Sequence, residues 1–309
     1  MIFARLRNRG VALITAMLIT ALAGLVATNL AWDNAIDVRR SMVLLNREQA
    51  TQVALGAENW VMSILRQDLA DSQTDHLGEI WATELPGLPI EGGGEVFGSI
   101  SDLQGRFNVN NLVDQAGEVD QESLEQFRRL LRVLELDPRL AGMTADWLDA
   151  NSEAAFPDGA EDPIYTAFLP AYRAANQTLS SISELAAVEG MDKATFDVLA
   201  PHITALPGRT NINANTATPA VLQSLDEKMS ASDVESLIAE RQNGGFADIP
   251  TAFSSLVTPD VLNNLDEASN FFQLRVVVQI DNMRITLYSL LMRGPRGDVT
   301  SILRSFGTV

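Results

Sequence analysis

Hydrophobic and polar positions fall into three regimes along the chain. From Val11 to Trp32 no residue is charged, and Arg5, Arg7 and Arg9 precede that run. At about 1.5 Å per residue it makes a helix of roughly 33 Å, enough to cross a bilayer's hydrocarbon core. The arginines favour the cytoplasmic side and put the rest of the chain beyond the membrane. A cleaved export signal is the competing reading, since Ala21-Leu22-Ala23 has the small-x-small form of a processing site. From Asp33 to about Ala70 only Gly56 interrupts a helical composition, and Val53, Ala57, Trp60, Val61 and Ile64 recur at the spacing of one helix face. The pattern therefore predicts one continuous helix of about 55 to 60 residues, half in lipid and half packed on a domain.

The second regime begins at a break. Leu85-Pro86-Gly87-Leu88-Pro89 and Glu91-Gly92-Gly93-Gly94 predict a flexible link. Beyond it, Val96 to Asp102 and Arg106 to Asn110 read as two strands of a hairpin about Leu103-Gln104-Gly105. Residues 111 to about 270 are polar-helical. Their clearest stretch is Glu122 to Glu135, where Leu124, Phe127, Leu130, Leu131 and Leu134 share a face before Asp137-Pro138 ends the helix. In the third regime Phe271–Ile280, Met283–Arg293 and Val299–Phe306 have strand character, separated by Asp281-Asn282 and Gly294-Pro295-Arg296-Gly297. That is the pattern of an antiparallel meander. The predicted class is α+β, a long N-terminal helix packed on a small antiparallel sheet that is interrupted by a large all-α insertion.

The insertion carries a weak repeat. Phe107-Asn108-Val109-Asn110 recurs as Thr210-Asn211-Ile212-Asn213, and Ser181-Ile182-Ser183-Glu184-Leu185 is echoed by Asp248-Ile249-Pro250-Thr251-Ala252-Phe253, which predicts two related helical subdomains. Asn211 to Ala217, with a helix starting near Pro219, also looks like a helix-hairpin-helix module of the kind that grips DNA backbones. Charge argues against that use. The net charge is −18, and without the three N-terminal arginines 19 basic residues face 40 acidic ones, a balance that repels phosphate. Asp226, Glu227, Asp233, Glu235 and Glu240 surround the module, so a protein-binding or structural use is favoured and no nucleic acid is expected. A membrane-anchored or secreted helix-hairpin-helix binding module stays as the alternative reading.

Cysteine is absent, which removes disulfides, thiolate catalysis and zinc–thiolate sites. His76 and His202 are the only histidines and no G-x-S-x-G elbow occurs, so the chain is read as a non-enzyme. One acidic stretch has chemical potential. It runs from Asp146-Trp147-Leu148-Asp149-Ala150-Asn151-Ser152-Glu153 through Asp158-Gly159-Ala160-Glu161-Asp162 to Tyr165. Carboxylates interleaved with carbonyls in a Gly/Pro-containing loop can wrap a hard cation such as calcium. A solvated acidic loop is the competing reading, because the spacing is not that of an EF-hand. Asp149 with Glu161 as a hydrolase acid pair is a third.

The first residues resemble the type IV prepilin-like proteins, whose short basic leader ends in glycine immediately before the apolar helix. By that resemblance the cut falls between Gly10 and Val11. The family places a glutamate five residues into the mature chain, where this sequence has Thr15. A carboxylate in lipid is costly and serves there to pair with a neighbour's terminal amine, so a subunit with no neighbour above it does not need one. Lacking it resembles the K-type minor pseudopilins of type II secretion. Asp146-Trp147-x-Asp149, Gly159-Ala160-Glu161-Asp162 and Tyr172-Arg173-Ala174-Ala175-Asn176 are similar to their insertion. The resemblance implies a calcium site, with Asp149, Asn151, Asp158, Glu161 and Asp162 as ligands and Asp146 as ligand or helix cap. It further implies a structural subunit at the pseudopilus tip that initiates or caps the filament driving export of folded proteins. Its partners would be the other minor pseudopilins, the major pseudopilin, the prepilin peptidase that cleaves and methylates the new terminus, and inner-membrane lipid. The location would be the inner membrane of a Gram-negative bacterium, single-pass, with the soluble part in the periplasm. The expected segments are a leader (1–10), a membrane part (11–32), pseudopilin helix and first strands (33–110), helical insertion (111–270) and final strands (271–309).

Overall fold

The computed structural model describes residues 11–91 and 93–307. Gly10, the expected cleavage residue, lies outside them, and Val11 opens the first helix. Helix α1 runs unbroken from Val11 to Asp71, 61 residues. Its apolar part is long enough to cross a membrane, and none of the most apolar window is buried. Further along, Ala50, Ala54, Val61, Met62 and Leu65 are buried. The buried stripe is turned from the expected one, since Trp60 is 47% exposed while Val53, Ala57 and Ile64 flank the contact half-buried. Glu58 sits in the middle of this stripe. Burial alone would raise its pKa, but the Arg304 guanidinium, helped by the nearby Ser289 and Ser301 hydroxyls, outweighs burial and holds it below the usual carboxylate range. Arg304 Nε lies 2.9 Å from both carboxylate oxygens.

After α1 come strands β1 (Leu85–Pro89) and β2 (Glu95–Asp102), an antiparallel pair. The stretch expected to be a flexible link is therefore partly an edge strand. Its prolines are tolerated because an outer edge lacks ladder partners, and the register slips between Leu85 and Leu88. Gly94 turns the chain at φ 115°, and a Cβ there would run into the carbonyl of Gln279.

The chain leaves the sheet after Asp102 and returns at Phe271. Between lie β3 (Phe107–Asn108), α2 (Gln121–Val133), α3 (Leu140–Leu148), α4 (Asp162–Tyr165), α5 (Lys193–Leu199), β4 (Ile203–Thr204), β5 (Ile212–Asn213), α6 (Pro219–Ser224), α7 (Ala231–Arg241), α8 (Ile249–Phe253), α9 (Pro259–Leu262) and β6 (Leu265–Asp266). The expected hairpin of β2 with β3 does not form, because β3 pairs in parallel with β4. Asp102 Oδ1 accepts from Gln104 N at 2.8 Å, and a Cβ on Gly105 would lie 2.6 Å from Thr216 O. That turn is thus pressed into the insertion. Strands β7 (Phe271–Ile280), β8 (Met283–Arg293) and β9 (Val299–Phe306) then form the expected meander. The sheet order is β1-β2-β7-β8-β9, antiparallel throughout. Phe272, Leu274, Val276, Val278, Leu287 and Leu291 face α1 in its core, whereas the insertion has a separate core around Phe107, Phe127 and Phe253.

Two asparagine pairs organise the insertion. Asn110 donates to Leu179 O and Leu206 O and accepts from Leu179 N. Asn215 donates to Phe246 O and Glu267 O and accepts from Phe246 N. Likewise Asn108 Oδ1 accepts from Asn110 N, as Asn213 Oδ1 does from Asn215 N. Parallel bridges close both halves, β3 with β4 and β5 with β6. Equivalent positions are therefore Asn108 and Asn213, two residues beyond the alignment expected from the sequence. The second echo is in register, because Ser181 caps a 3-10 turn and Asp248 caps α8 two residues after Leu179 and Phe246 respectively.

Candidate functional site

The acidic loop hangs between α3 and α4. Apolar packing fixes its ends: Trp147 and Tyr165 are buried with ring centroids 5.0 Å apart, and Tyr172 stacks beside Tyr165 at 5.5 Å. These rings fill the interior beside the loop instead of walling an open cleft, which removes the aromatic platform a glycosidase pair would use. Asp146, Asp149 and Glu161 are each at most 1% exposed. One oxygen of each is held by the protein. Asp146 Oδ2 accepts from Ala155 N at 2.9 Å, Asp149 Oδ2 from Asn151 Nδ2 at 2.8 Å, and Glu161 Oε2 from Asp162 N at 3.3 Å.

The other oxygens, Asp146 Oδ1, Asp149 Oδ1 and Glu161 Oε1, are buried with no hydrogen-bond partner, as is Asn176 Oδ1. Burial, reinforced by the Asp146 charge, pushes Asp149 up to about 6. Burial with the Asp149 and Asp146 charges pushes Glu161 up to about 7, and burial also raises Asp146. An all-oxygen set of unpaired acceptors suits a hard cation, so the residues present fit calcium.

The expected ligands are placed unequally. Asp149 and Glu161 lie near enough to Asp146 for its charge to raise both. Asn151 is exposed and turns its amide to Asp149 and its oxygen to Glu153 N at 2.7 Å. Asp162 Oδ1 accepts from Ala174 N at 3.2 Å, and its Oδ2 lies 3.7 Å from Arg173 Nε. Asp158 is half-buried and backs onto Gly142. Asn176 was not among the expected ligands. Its backbone N–H donates to Trp147 O at 3.0 Å, which carries it back to the loop, a long-range return with no signal in local spacing.

A second acidic group lies where α1 ends. Asp68, Asp75 and Glu79 each bring an oxygen within 4.8 Å of the others, an arrangement that could hold a metal. Arg293 already meets two of them, through Nη1 to Asp68 Oδ2 at 3.2 Å and Nη2 to Asp75 Oδ2, and also donates to Ser269 O at 2.6 Å. Glu79 Oε2 accepts from Trp81 Nε1 at 2.6 Å and His76 N at 3.1 Å. Burial, then the Glu79 and Asp75 charges, pushes Asp68 up to about 7. Next to it, Asp102 Oδ2 accepts from Asn213, Ser269 and Thr216, joining sheet to insertion.

Two arginines from neighbouring helices, Arg129 of α2 and Arg241 of α7, are spent on carbonyls of the helix-hairpin-helix-like segment. Arg129 donates to Ser224 O and Leu225 O, and Arg241 to Ala214 O and Ala217 O. Those cations are unavailable to phosphates.

An apolar, unburied helix start continued by a half packed on an antiparallel meander defines a pilin-like subunit, and the insertion between β2 and β7 distinguishes this one. Two family models, both described as type II secretion system (T2SS), protein K, match residues 105–208 and 212–270. The chain is 34% identical to the type II secretion system protein K of Pseudomonas aeruginosa, covering 97% of this chain and 93% of that one. It is 33% identical to that of Pectobacterium carotovorum over 93% of both. It also resembles a chain of the GspK-GspI-GspJ complex from enterotoxigenic Escherichia coli, with TM-score 0.75 and 25% identity over 87% of this chain and 100% of that chain. The protein belongs to the type II secretion system protein K family, and is thus a minor pseudopilin, structural and not enzymatic.

Proposed function

We propose that this chain is the tip subunit of the pseudopilus, which initiates or caps the filament that drives folded proteins across the outer membrane. The observation that carries the reading is the position of the insertion. Arg293, Ser269 and Asp75 tie it to the end of α1 opposite the apolar start, where a further subunit would have to stack. Thr15 agrees with this reading, since its hydroxyl donates back to the carbonyls of Val11 and Ala12 at 3.0 Å and needs no neighbour.

In this reading the leader 1–10 is cut after Gly10 by the prepilin peptidase and Val11 is methylated. Residues 11–32 hold the chain in the inner membrane with the remainder in the periplasm. Residues 33–110 and 271–309 build the pseudopilin unit, and 111–270 form an insertion of two related subdomains. Partners are the counterparts of GspI and GspJ, together with the major pseudopilin. Calcium would be held by Asp146, Asp149, Glu161 and Asn176, with Asn151, Asp158 and Asp162 as the remaining expected ligands. When bound, it supplies positive charge that relieves the repulsion of the loop carboxylates. The chain's own part is to hold one oxygen of each carboxylate on a backbone or amide donor so that the other points inward.

Gold labelling of an epitope in the insertion tests the tip assignment on sheared filaments. Label at one end only is expected. Label along the filament length would overturn it.

A further inference from the structure

We propose that Asp68, Asp75 and Glu79 form a second divalent-cation site, separate from the acidic loop, that clasps the end of α1 to the sheet and the insertion. The three carboxylates share one design. Each has an oxygen fixed by a protein donor: Asp68 Oδ2 by Arg293, Asp75 Oδ2 by Arg293 and by Ser269 N at 2.7 Å, and Glu79 Oε2 by Trp81 and His76 N. Such outer donors orient ligating carboxylates in metal sites. The remaining oxygens are the ones left to a cation. Asp75 is 1% exposed and its Oδ1 is buried with no hydrogen-bond partner.

Charge points the same way. Three carboxylates face the single guanidinium of Arg293, whose own side chain is 3% exposed, so the pocket carries surplus negative charge away from water. His76 Nε2, 3.7 Å from Glu79 Oε1, is the other basic group at this spot. The carbonyl end of α1 adds the negative pole of a long helix, with Asp68 in its last turn. Oxygen ligands alone, in an irregular arrangement, suit calcium better than magnesium, which demands a near-ideal octahedron. A bound ion would bridge α1 (Asp68), the segment that follows it (Asp75 and Glu79) and, through Arg293 and Ser269, both β8 and the return from the insertion.

Trp81 gives a reporter of this site alone, because its indole N–H donates to Glu79, whereas Trp147 lies beside the acidic loop. The full chain in detergent is stripped of metal and titrated with terbium, a luminescent stand-in for calcium, under tryptophan excitation, with calcium calorimetry in parallel. In a Glu161→Gln background, which disables the loop, the expected result is a remaining terbium signal that calcium displaces. Trp81→Phe should remove that signal, Trp147→Phe should not, and Asp75→Asn or Asp68→Asn should weaken calcium binding at least tenfold. Asp68→Asn keeps the contact between Arg293 and Asp75, so it guards against loss of folding, which circular dichroism checks. A Glu161→Gln chain that binds neither calcium nor terbium would overturn the proposal, as would a remaining signal indifferent to Trp81→Phe or to both aspartate variants.

Discussion

The buried carboxylates of the acidic loop set a pH dependence that calcium should abolish. In metal-free protein Asp149 is raised from 3.8 to about 6 and Glu161 from 4.5 to about 7. Both folded-state values lie above the unfolded ones. Their contribution to stability is therefore complete below about pH 4 and is lost as pH rises through 6 and 7. At about 1.4 kcal/mol per pKa unit, discounted for solvent reaching an open loop, the loss between pH 5 and pH 8 is about 2–4 kcal/mol for the pair. In a protein of this size that lowers the melting temperature by about 5–10 °C. On the proposed reading calcium takes the ionised form of the loop, so its stabilisation should grow over the same interval and follow ion concentration by mass action. The assay is thermal melting of the full chain in detergent, read by near-ultraviolet circular dichroism, at pH 5 and pH 8 with calcium or with chelator. The melting temperature in chelator should fall with pH and the calcium increment should widen. Asp149→Asn with Glu161→Gln should flatten most of the pH effect, leaving the part due to Asp68, whose raised value carries the same sign. Equal calcium increments at both pH values, or an unchanged slope in the double variant, would refute the reasoning.

Three further outcomes are expected. Asn110→Ala leaves the Leu179 and Leu206 backbone groups unpaired in the interior and should cost about 3 kcal/mol or more in denaturant titration, whereas Asn211→Ala, which loses the contact to Asn263 O and its interaction with Asp266, should cost about 1 kcal/mol. Arg304→Ala strands the buried Glu58 carboxylate and should destabilise the helix-on-sheet unit by about 2–3 kcal/mol, below the full cost of breaking a buried pair because Arg304 is half exposed; Glu58→Gln in the same background should recover part of it. Thr15→Glu should bring no gain in filament incorporation and hinder insertion by about 2.5–3.5 kcal/mol if the carboxylate meets lipid unpaired, measurable as the membrane-inserted fraction.

The meander and the long helix were legible because period-two and helical patterns are local. Phe271–Ile280 alternates buried and exposed residues only in part, yet turn residues at Asp281-Asn282 fix its end. Edge strand β1 was hidden by its prolines, and the centre of the α1 stripe by Glu58, whose partner Arg304 lies far along the chain. The repeat was visible but out of phase. Asn211-Ile212-Asn213-Ala214-Asn215 contains two overlapping Asn-x-Asn frames, and only the carbonyls of Phe246 and Glu267 decide between them. At the acidic loop, Asp149 and Glu161 were expected through the resemblance, whereas Asn176, tied to the loop by a backbone bond to Trp147, was not. The Asp68, Asp75 and Glu79 group has no signature at all in spacing, because Arg293 reaches it across more than two hundred positions.

Asp102 and Phe272 are partners in the ladder between β2 and β7, so the excursion leaves and re-enters the sheet at neighbouring points. In effect these strands form a hairpin whose loop happens to be folded. Loop-closure entropy grows only with the logarithm of length, and a folded loop with its own core does not even incur that cost in full. The register of the sheet is therefore indifferent to what is stored between Asp102 and Phe271. A pilin-like unit built this way can carry an insertion at this point without redesign of the strands on either side of it.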